Sequence, residues 1–373
     1  MRLAYGVHGY GRGHAVRSLA VLSRLTSRHE VLVLAGGDAA PLLRRYRPLP
    51  LPAFTFGYHG TRLSAARTLR ANAALLAALA LAGPPVARIE RLLDSFRPEV
   101  VVSDSEPLVL RAAGRLGIPR LVFDHVGVVG WCRPPAPLGD ALRLGRDGLA
   151  YRLLMGNPER VVVSSFFDAP PRRADVRVVP PVLRERVLRA EAADAGHLLV
   201  YLNQPRLLTP AVLSAIAGAG APAVVYGAGR LGREGAVRFR AIDEAAFVDD
   251  LASCRAVLAT AGHQLAAEAL HLGKPLLLCP EDSAEQRLNA RELVRLGAAR
   301  VVRPRELSAD LLRAFLAGAT PRGGAAGRIR RDGNDRALEV LEEQLAALAA
   351  PPSSAPQASS AGARALCTPS SPT

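Results

Sequence analysis

Between Arg255 and Pro280 the chain passes through a short apolar run, RAVLAT (255–260), a glycine turn, AGHQ (261–264), a stretch of helix formers, QLAAEALHL (264–272), a second turn, GKP (273–275), and another apolar run, LLLC (276–279). Short apolar runs bounded by turn residues read as strands buried on both faces, and a helix between two such strands makes a βαβ unit. This alternation restricts the fold to an α/β architecture with a parallel sheet. Gly262 then falls where a strand ends and a helix begins. Free backbone N–H groups and the positive end of the helix dipole favour a phosphate there, and a glycine lets the backbone come close to it. Glu268 follows about one and a half turns later, within reach of a ligand lying across the helix start, where a carboxylate can accept two hydrogen bonds from a ribose diol. The second apolar run leads to Glu285, Gln286 and Asn289 on the same side of the sheet. A single glycine turn or a single helical Glu is common in any α/β protein, whereas the ordered set points to a nucleotide-sugar site.

The amino terminus repeats the pattern. RLAYGV (2–7) reads as a strand, HGYGRGH (8–14) as a Gly-rich turn, AVRSLAVLSRL (15–25) as an amphipathic helix, and HEVLVLAGGD (29–38) as a second strand. Gly9, Gly11 and Gly13 miss the dinucleotide spacing G-x-G-x-x-G, because His14 stands where the third glycine belongs. A nicotinamide or flavin enzyme is therefore a distant reading, resting on Asp38 after strand two. A histidine at the mouth of such a turn suits a general base, since its ordinary pKa lies near neutrality.

Two segments resemble one family. The pattern A-G-H-Q-x-x-x-E-A-L-x-L-G-K-P-x-L-x-x-P followed by E-Q-x-x-N-A is similar to the carboxyl-terminal signature of glycosyltransferase family 28, which includes lipid-linked N-acetylglucosamine transferases and diglucosyldiacylglycerol synthases. The first turn resembles the G-G-T-G-G-H loop of that family, and more closely the G-x-G-R-G-H-A-x-R-S form of a less characterised branch. The resemblance covers about residues 1–345. It implies a GT-B fold, two Rossmann-like doubly wound domains facing across a cleft, and an inverting, metal-independent transfer from a nucleoside-diphosphate sugar, UDP-linked by analogy, to an acceptor hydroxyl. By the same resemblance Glu268 holds the donor ribose. Gly262, His263 and Gln264 form the turn at the donor phosphates, Gln286 and Asn289 lie near the donor sugar, and His14 sits at the cleft with Gly11 and Gly13 beside the donor. This chain has His263 and Gln264 where the family turn often reads G-G or G-x-T/S.

Other strand ends add candidates. FRPEVVVSDSEP (96–107) delivers Asp104, and GIPRLVFDHVGVVGW (117–131) delivers Asp124 and His125. Asp104 either orients His14, as acids do for catalytic imidazoles, or is itself the base, and His125 is the rival base. The domain boundary is expected between VRVVPPVL (176–183) and GHLLVYLNQP (196–205), giving an acceptor-binding domain over 1–185 and a donor-binding domain over 196–345. Asn203 and Gln204 end the first strand of the second domain at a further phosphate-side turn, and residues 242–247 are the expected wall for the nucleobase. The segment 328–349 is expected to close the fold as a helix crossing back to the first domain, ahead of a disordered Pro/Ser/Ala-rich tail over 350–373.

Composition narrows the partners. The formal net charge is +15, yet Lys274 is the only lysine, which marks a compositional bias toward Arg rather than a nucleic-acid footprint. No nucleic-acid motif accompanies it. Cys132, Cys254, Cys279 and Cys367 show no paired or metal-ligand spacing, so reduced, cytoplasmic conditions fit, with no metal and no cofactor expected. The apolar run 71–89 is interrupted at Pro84, and 59–83 joins arginines to an apolar stripe. That pairing allows peripheral contact at a membrane face if the acceptor is a lipid. A nucleotide-sugar 2-epimerase, which needs no acceptor, and a non-catalytic nucleotide-sugar-binding protein are the alternatives.

Overall fold

The computed structural model describes residues 1–60, 62–319 and 333–350. In chain order the strands are β1 (Arg2–Val7), β2 (Glu30–Ala35), β3 (Leu49–Pro50), a short hairpin of β4 (Tyr58–His59) and β5 (Arg62–Leu63), then β6 (Val100–Asp104), β7 (Arg120–Asp124), β8 (Arg160–Ser164) and β9 (Val176–Val179). After a linker come β10 (Leu198–Tyr201), β11 (Ala223–Tyr226), β12 (Gly232–Glu234), β13 (Val237–Arg240), β14 (Ala256–Ala259), β15 (Leu276–Leu278) and β16 (Ala299–Val301). They form two seven-stranded sheets, ordered β3-β2-β1-β6-β7-β8-β9 and β12-β13-β11-β10-β14-β15-β16. Every pairing in the first is parallel, and in the second only the edge pair β12–β13 is antiparallel.

Each sheet is covered on both faces, which is why its strands are continuously apolar. Along β1, Leu3, Tyr5 and Val7 pack with the Arg12–Leu25 helix, while Ala4 turns to the opposite core with Val101, Leu108 and Leu93. The alternation is the period of two expected of a strand. The second sheet is likewise enclosed between two clusters, one around Leu199, Val257 and Leu278 and one around Val200, Leu258 and Leu277. Strand order reverses beside β1, which lies between β2 and β6, and beside β10, which lies between β11 and β14. Crevices open at such reversals, outside the carboxyl ends of the strands. The turns after β1, β6, β10 and β14 carry the residues singled out by sequence.

Two features tie the lobes together. The Gly333–Ala349 helix returns to the first sheet and buries Ala337, Leu338, Leu341 and Leu345 against Leu19, Leu22 and Val162. The linker packs Leu183 and Val187 into the second core. Lys274, the sole lysine, is buried at 3% exposure, and its Nζ donates to the carbonyls of Ala193 (2.5 Å) and Cys254 (2.8 Å). It therefore acts as a staple on the linker.

The apolar run 71–89 forms two helices, Ala73–Leu81 and Pro84–Phe96, bent by 54°. Leu79, Val86 and Ile89 are buried in the first lobe. Among the described residues no single helix is long and apolar enough to cross a membrane, although this bent pair passes by length and composition. Cys132, Cys254 and Cys279 are free and buried. Cys367, residues 328–332 of the expected closing helix and the expected tail beyond residue 350 lie outside the described residues.

Candidate active site between the lobes

The turn after β1 is built by close backbone approaches. A Cβ on Gly9 would sit 2.6 Å from the Ala53 side chain and 2.9 Å from the Gly36 carbonyl, so only glycine fits. Gly11 takes φ +76 and its N–H donates to Asp38 Oδ2 at 3.0 Å. Asp38, the residue behind the nicotinamide reading, thus braces the loop through the Gly11 amide. Gly13 faces the other lobe, where a Cβ on it would lie 3.7 Å from Gln264 Cβ.

His14 lies in the first turn of the Arg12–Leu25 helix, with a side chain 17% exposed, and its Nδ1 is 2.7 Å from Asp104 Oδ1 at the end of β6. Asp104 is fully buried. Burial pushes its pKa up, but the Arg17 guanidinium and His14 outweigh that and hold it below the usual carboxylate range. Arg17 donates from Nε to Asp104 Oδ2 (3.0 Å) and from Nη2 to Oδ1 (2.5 Å), and Ser18 Oγ donates to Oδ2 at 3.2 Å. His14, Arg17 and Ser18 reach one carboxylate because positions three and four apart share a helix face. Ser105, next after Asp104, takes φ +55, and its Oγ donates to Asp124 Oδ2 (2.6 Å), which Tyr151 also approaches.

His125 departs from its expected role as rival base. Its Nδ1 is 2.8 Å from the Ser164 carbonyl and its Nε2 is 2.9 Å from the Asn289 side chain across the lobe boundary. It is 1% exposed, and burial pushes its pKa down to about 4. Both nitrogens are engaged and the ring is shut from solvent.

On the second lobe, Gly262 caps the His263–His271 helix through its backbone alone, and a Cβ there would meet nothing within 4 Å. This corner is open. His263 stacks on His125 (centroids 3.7 Å apart) and on Phe166 (5.2 Å), while both of its ring nitrogens and Gln264 Oε1 are buried without a partner. Unpaired buried polar atoms are costly, and three of them gather here at the start of one helix. Gln286 Oε1 accepts from the Ala261 (3.2 Å) and Glu281 (2.9 Å) amides, and Asn289 Nδ2 donates to the Ala261 carbonyl (3.0 Å) and Glu285 (3.0 Å). Both side chains therefore brace the Gly262 turn from the Ala284–Arg295 helix. Asn203 turns to Glu281 (3.4 Å), which also accepts from Tyr58, and Gln204 turns to Arg206 (3.5 Å). These two lie at the edge of the cluster.

Glu268 faces the interior at 1% exposure, with both oxygens taken: Oε1 accepts from Arg184 Nε (2.8 Å) and Gln264 (3.1 Å), and Oε2 from Arg184 Nη2 (2.5 Å). The carboxylate expected to be free for a ribose is engaged by a linker arginine. Arg184 also lies 5.5 Å from the Phe247 ring, within the expected base wall, and lines a cavity of about 860 Å³ with Glu244, Arg24, Arg186 and Asp335. Sequence reasoning missed Arg184, which leaves no mark in a chain so rich in Arg. It also missed Arg17 and Ser18, whose signal was present in the R-S that follows His14. Among the described residues no group of three or more His, Cys, Asp or Glu side chains is arranged to hold a metal ion.

Two doubly wound parallel lobes meeting over a His–Asp pair on one side and an open amide corner on the other make up the architecture of a GT-B protein. The chain belongs to glycosyl transferase family 1, whose family model matches residues 1–320. It is 29% identical over 352 residues to the UDP-N-acetylglucosamine–N-acetylmuramyl-(pentapeptide) pyrophosphoryl-undecaprenol N-acetylglucosamine transferase of Chromobacterium violaceum, covering 85% of this chain and 93% of that one. In fold it is similar to Arabidopsis thaliana UGT89C1 in complex with UDP (TM-score 0.65, 16% identical, 94% of this chain and 100% of that one). It is also similar to MurG of Acinetobacter baumannii (TM-score 0.54, 14% identical, 92% and 99%). The likeness to lipid-linked N-acetylglucosamine transferases and the GT-B fold are borne out. The epimerase and binding-protein alternatives draw no support from these matches.

Proposed function

We propose that the protein transfers a hexosyl group from a UDP-sugar to an acceptor hydroxyl with inversion and without a metal. The observation that carries this reading is the His14–Asp104 pair at 2.7 Å, set across the lobe boundary from the open Gly262 corner. The first lobe holds the acceptor and the second the donor. His14 Nε2 takes the acceptor hydroxyl's proton as that oxygen bonds to the anomeric carbon, and the bond from that carbon to the diphosphate oxygen breaks on the opposite face. The departing charge meets the helix-start amides at Gly262–Gln264, with Arg184 nearby, so this chemistry calls for no metal. Glu268, behind Arg184, is the ribose acceptor once that arginine yields. A UDP donor is supported by the name of the Chromobacterium relative and by the UDP complex of the Arabidopsis one. The first of these also supports a lipid-linked acceptor and, with it, peripheral membrane contact.

Substitution separates the two halves of the site. Glu268→Ala is expected to raise the donor KM by about tenfold or more while kcat changes less, because it removes ground-state binding. His14→Ala is expected to lower kcat by about 10²–10⁴-fold with a smaller change in donor KM. Steady-state kinetics with UDP-sugars decide it, and equal, mild effects of both substitutions defeat the assignment.

A further inference from the structure

The Asp104 carboxylate is held by more than His14. Arg17, 3% exposed, grips both of its oxygens, and Arg17 Nη2 also lies 3.2 Å from His14 Nδ1. An ionised carboxylate only accepts hydrogen bonds, so the 2.7 Å contact places a hydrogen on His14 Nδ1 and leaves the lone pair of the neutral ring on Nε2. We propose that Arg17 is a positioning residue for the transfer: its fork fixes Asp104 so that Oδ1 meets His14 Nδ1, and its charge offsets that of the carboxylate. This rests on the reading of His14 as the base.

Counting charge shows what the arginine changes. With Arg17 present, His14 neutral and Asp104 ionised, the three groups sum to zero, and protonating the ring makes the buried cluster positive. Without Arg17 the neutral ring leaves a buried negative charge, and protonation cancels it. A paired His–Asp alone would therefore favour the imidazolium, which cannot accept the acceptor's proton. The guanidinium removes that bias while keeping the carboxylate's grip on the tautomer. A bidentate fork does this better than a point charge, because it fixes the carboxylate plane as well as its charge.

The other groups that face His14 do not replace Arg17. His8, from the end of β1, lies edge-on at 5.1 Å and is pushed down to about 3 by burial, so it stays neutral. His125 after β7 and His263 from the second lobe are both pushed down by burial. Glu285, on the Ala284–Arg295 helix, is pushed up by desolvation, and the guanidinium beside the pair is that of Arg17, with Nη2 3.2 Å from His14 Nδ1.

The test is the pH dependence of kcat/KM for the full chain with a UDP-sugar, in wild type, Arg17→Gln, Arg17→Lys and Asp104→Asn. In Arg17→Gln the acid limb is expected to move up by about one pH unit or more, with activity recovered at alkaline pH. Arg17→Lys is expected to keep the limb within about half a unit and to lose kcat several-fold, since the charge stays and the fork goes. Asp104→Asn is expected to move the limb down, and the Arg17→Gln/Asp104→Asn pair to return it close to wild type. That pair also serves if Arg17→Gln alone does not fold, because it leaves no buried charge without its partner. A limb that stays fixed across the series, with activity lost equally at every pH, overturns the inference and leaves Arg17 a structural ion pair. If His14→Ala keeps its turnover, the transfer reading itself is wrong, which is a different outcome from a fixed limb with His14 required.

Discussion

His263 stands between Phe166 and His125 as the middle ring of a stack that crosses from one lobe to the other, and it is 4% exposed with neither nitrogen satisfied. Burial pushes His263 well below its ordinary value of 6.5 and His125 to about 4. In the unfolded chain both rings take a proton near pH 6.5, and in the fold they refuse it. As pH falls from 6.5 toward 4 the unfolded state binds more protons, and stability is lost from this source. For His125 the shift corresponds to on the order of 3 kcal/mol. Glu106, which burial lifts to about 8, works in the opposite direction over an overlapping range. The clean observable is therefore a difference between two proteins. Replacing His263 by Phe keeps the stack and removes its titration, so the Tm of His263→Phe relative to wild type is expected to rise steadily between pH 6.5 and pH 5 and to level off above about 7. Thermal melts across that range check it, and a pH-independent difference shows that His263 is not the group refusing the proton.

The Ala65–Ala71 helix buries no residue in the core and the Ala73–Leu81 helix only Ala78 and Leu79. Leu69 is 61% and Leu81 81% exposed, and Arg67 and Arg70 lie on the exposed surface beside them. Apolar side chains flanked by cations suit the interface of an anionic bilayer, where each arginine contributes about 1 kcal/mol. Co-sedimentation with vesicles containing phosphatidylglycerol is expected to weaken about fivefold for each of Arg67→Gln and Arg70→Gln, and binding unmoved by either removes the membrane contact. Elements such as β1, β6, β10 and β14 were legible because their β-branched or leucine runs are buried on both faces and end in turn residues. The Leu138–Met155 helix left no such mark: Leu138, Leu142, Leu149 and Leu153 are all more than half exposed, so no stripe of the sequence announces its buried face. The site was legible in part for a related reason. Gly262, His14 and Asp104 stand at strand ends or helix starts, where chain position implies location, and Glu268 follows the Gly262 turn on the same helix. The partner of Glu268 is Arg184, 84 residues away, and only the packed linker brings them together.

At the scale of the whole molecule the two lobes are closed on each other. His125 and Phe166 of the first lobe stack on His263 of the second, Asn289 reaches His125, and the Gly13 turn touches Gln264. On the proposed reading a sugar nucleotide spans the Gly262 turn and Glu268 between these contacts, and the expectation is that the lobes part and close in each turnover about the linker between β9 and β10. The approach of Gly13 to Gln264 offers a lock. A Cβ on Gly13 would lie 3.7 Å from Gln264 Cβ, which matches the roughly 3.8 Å separation of a disulfide. Gly13 does not need a left-handed backbone, and among the described residues the native cysteines, Cys132, Cys254 and Cys279, are buried, so the engineered pair is made in a Cys367→Ser background. The Gly13→Cys/Gln264→Cys enzyme is expected to lose turnover by about tenfold or more on oxidation and to regain its own reduced rate when thiol is added, with neither single variant responding. Full turnover by the oxidised, cross-linked enzyme means that donor and product exchange through an opening that leaves this contact intact.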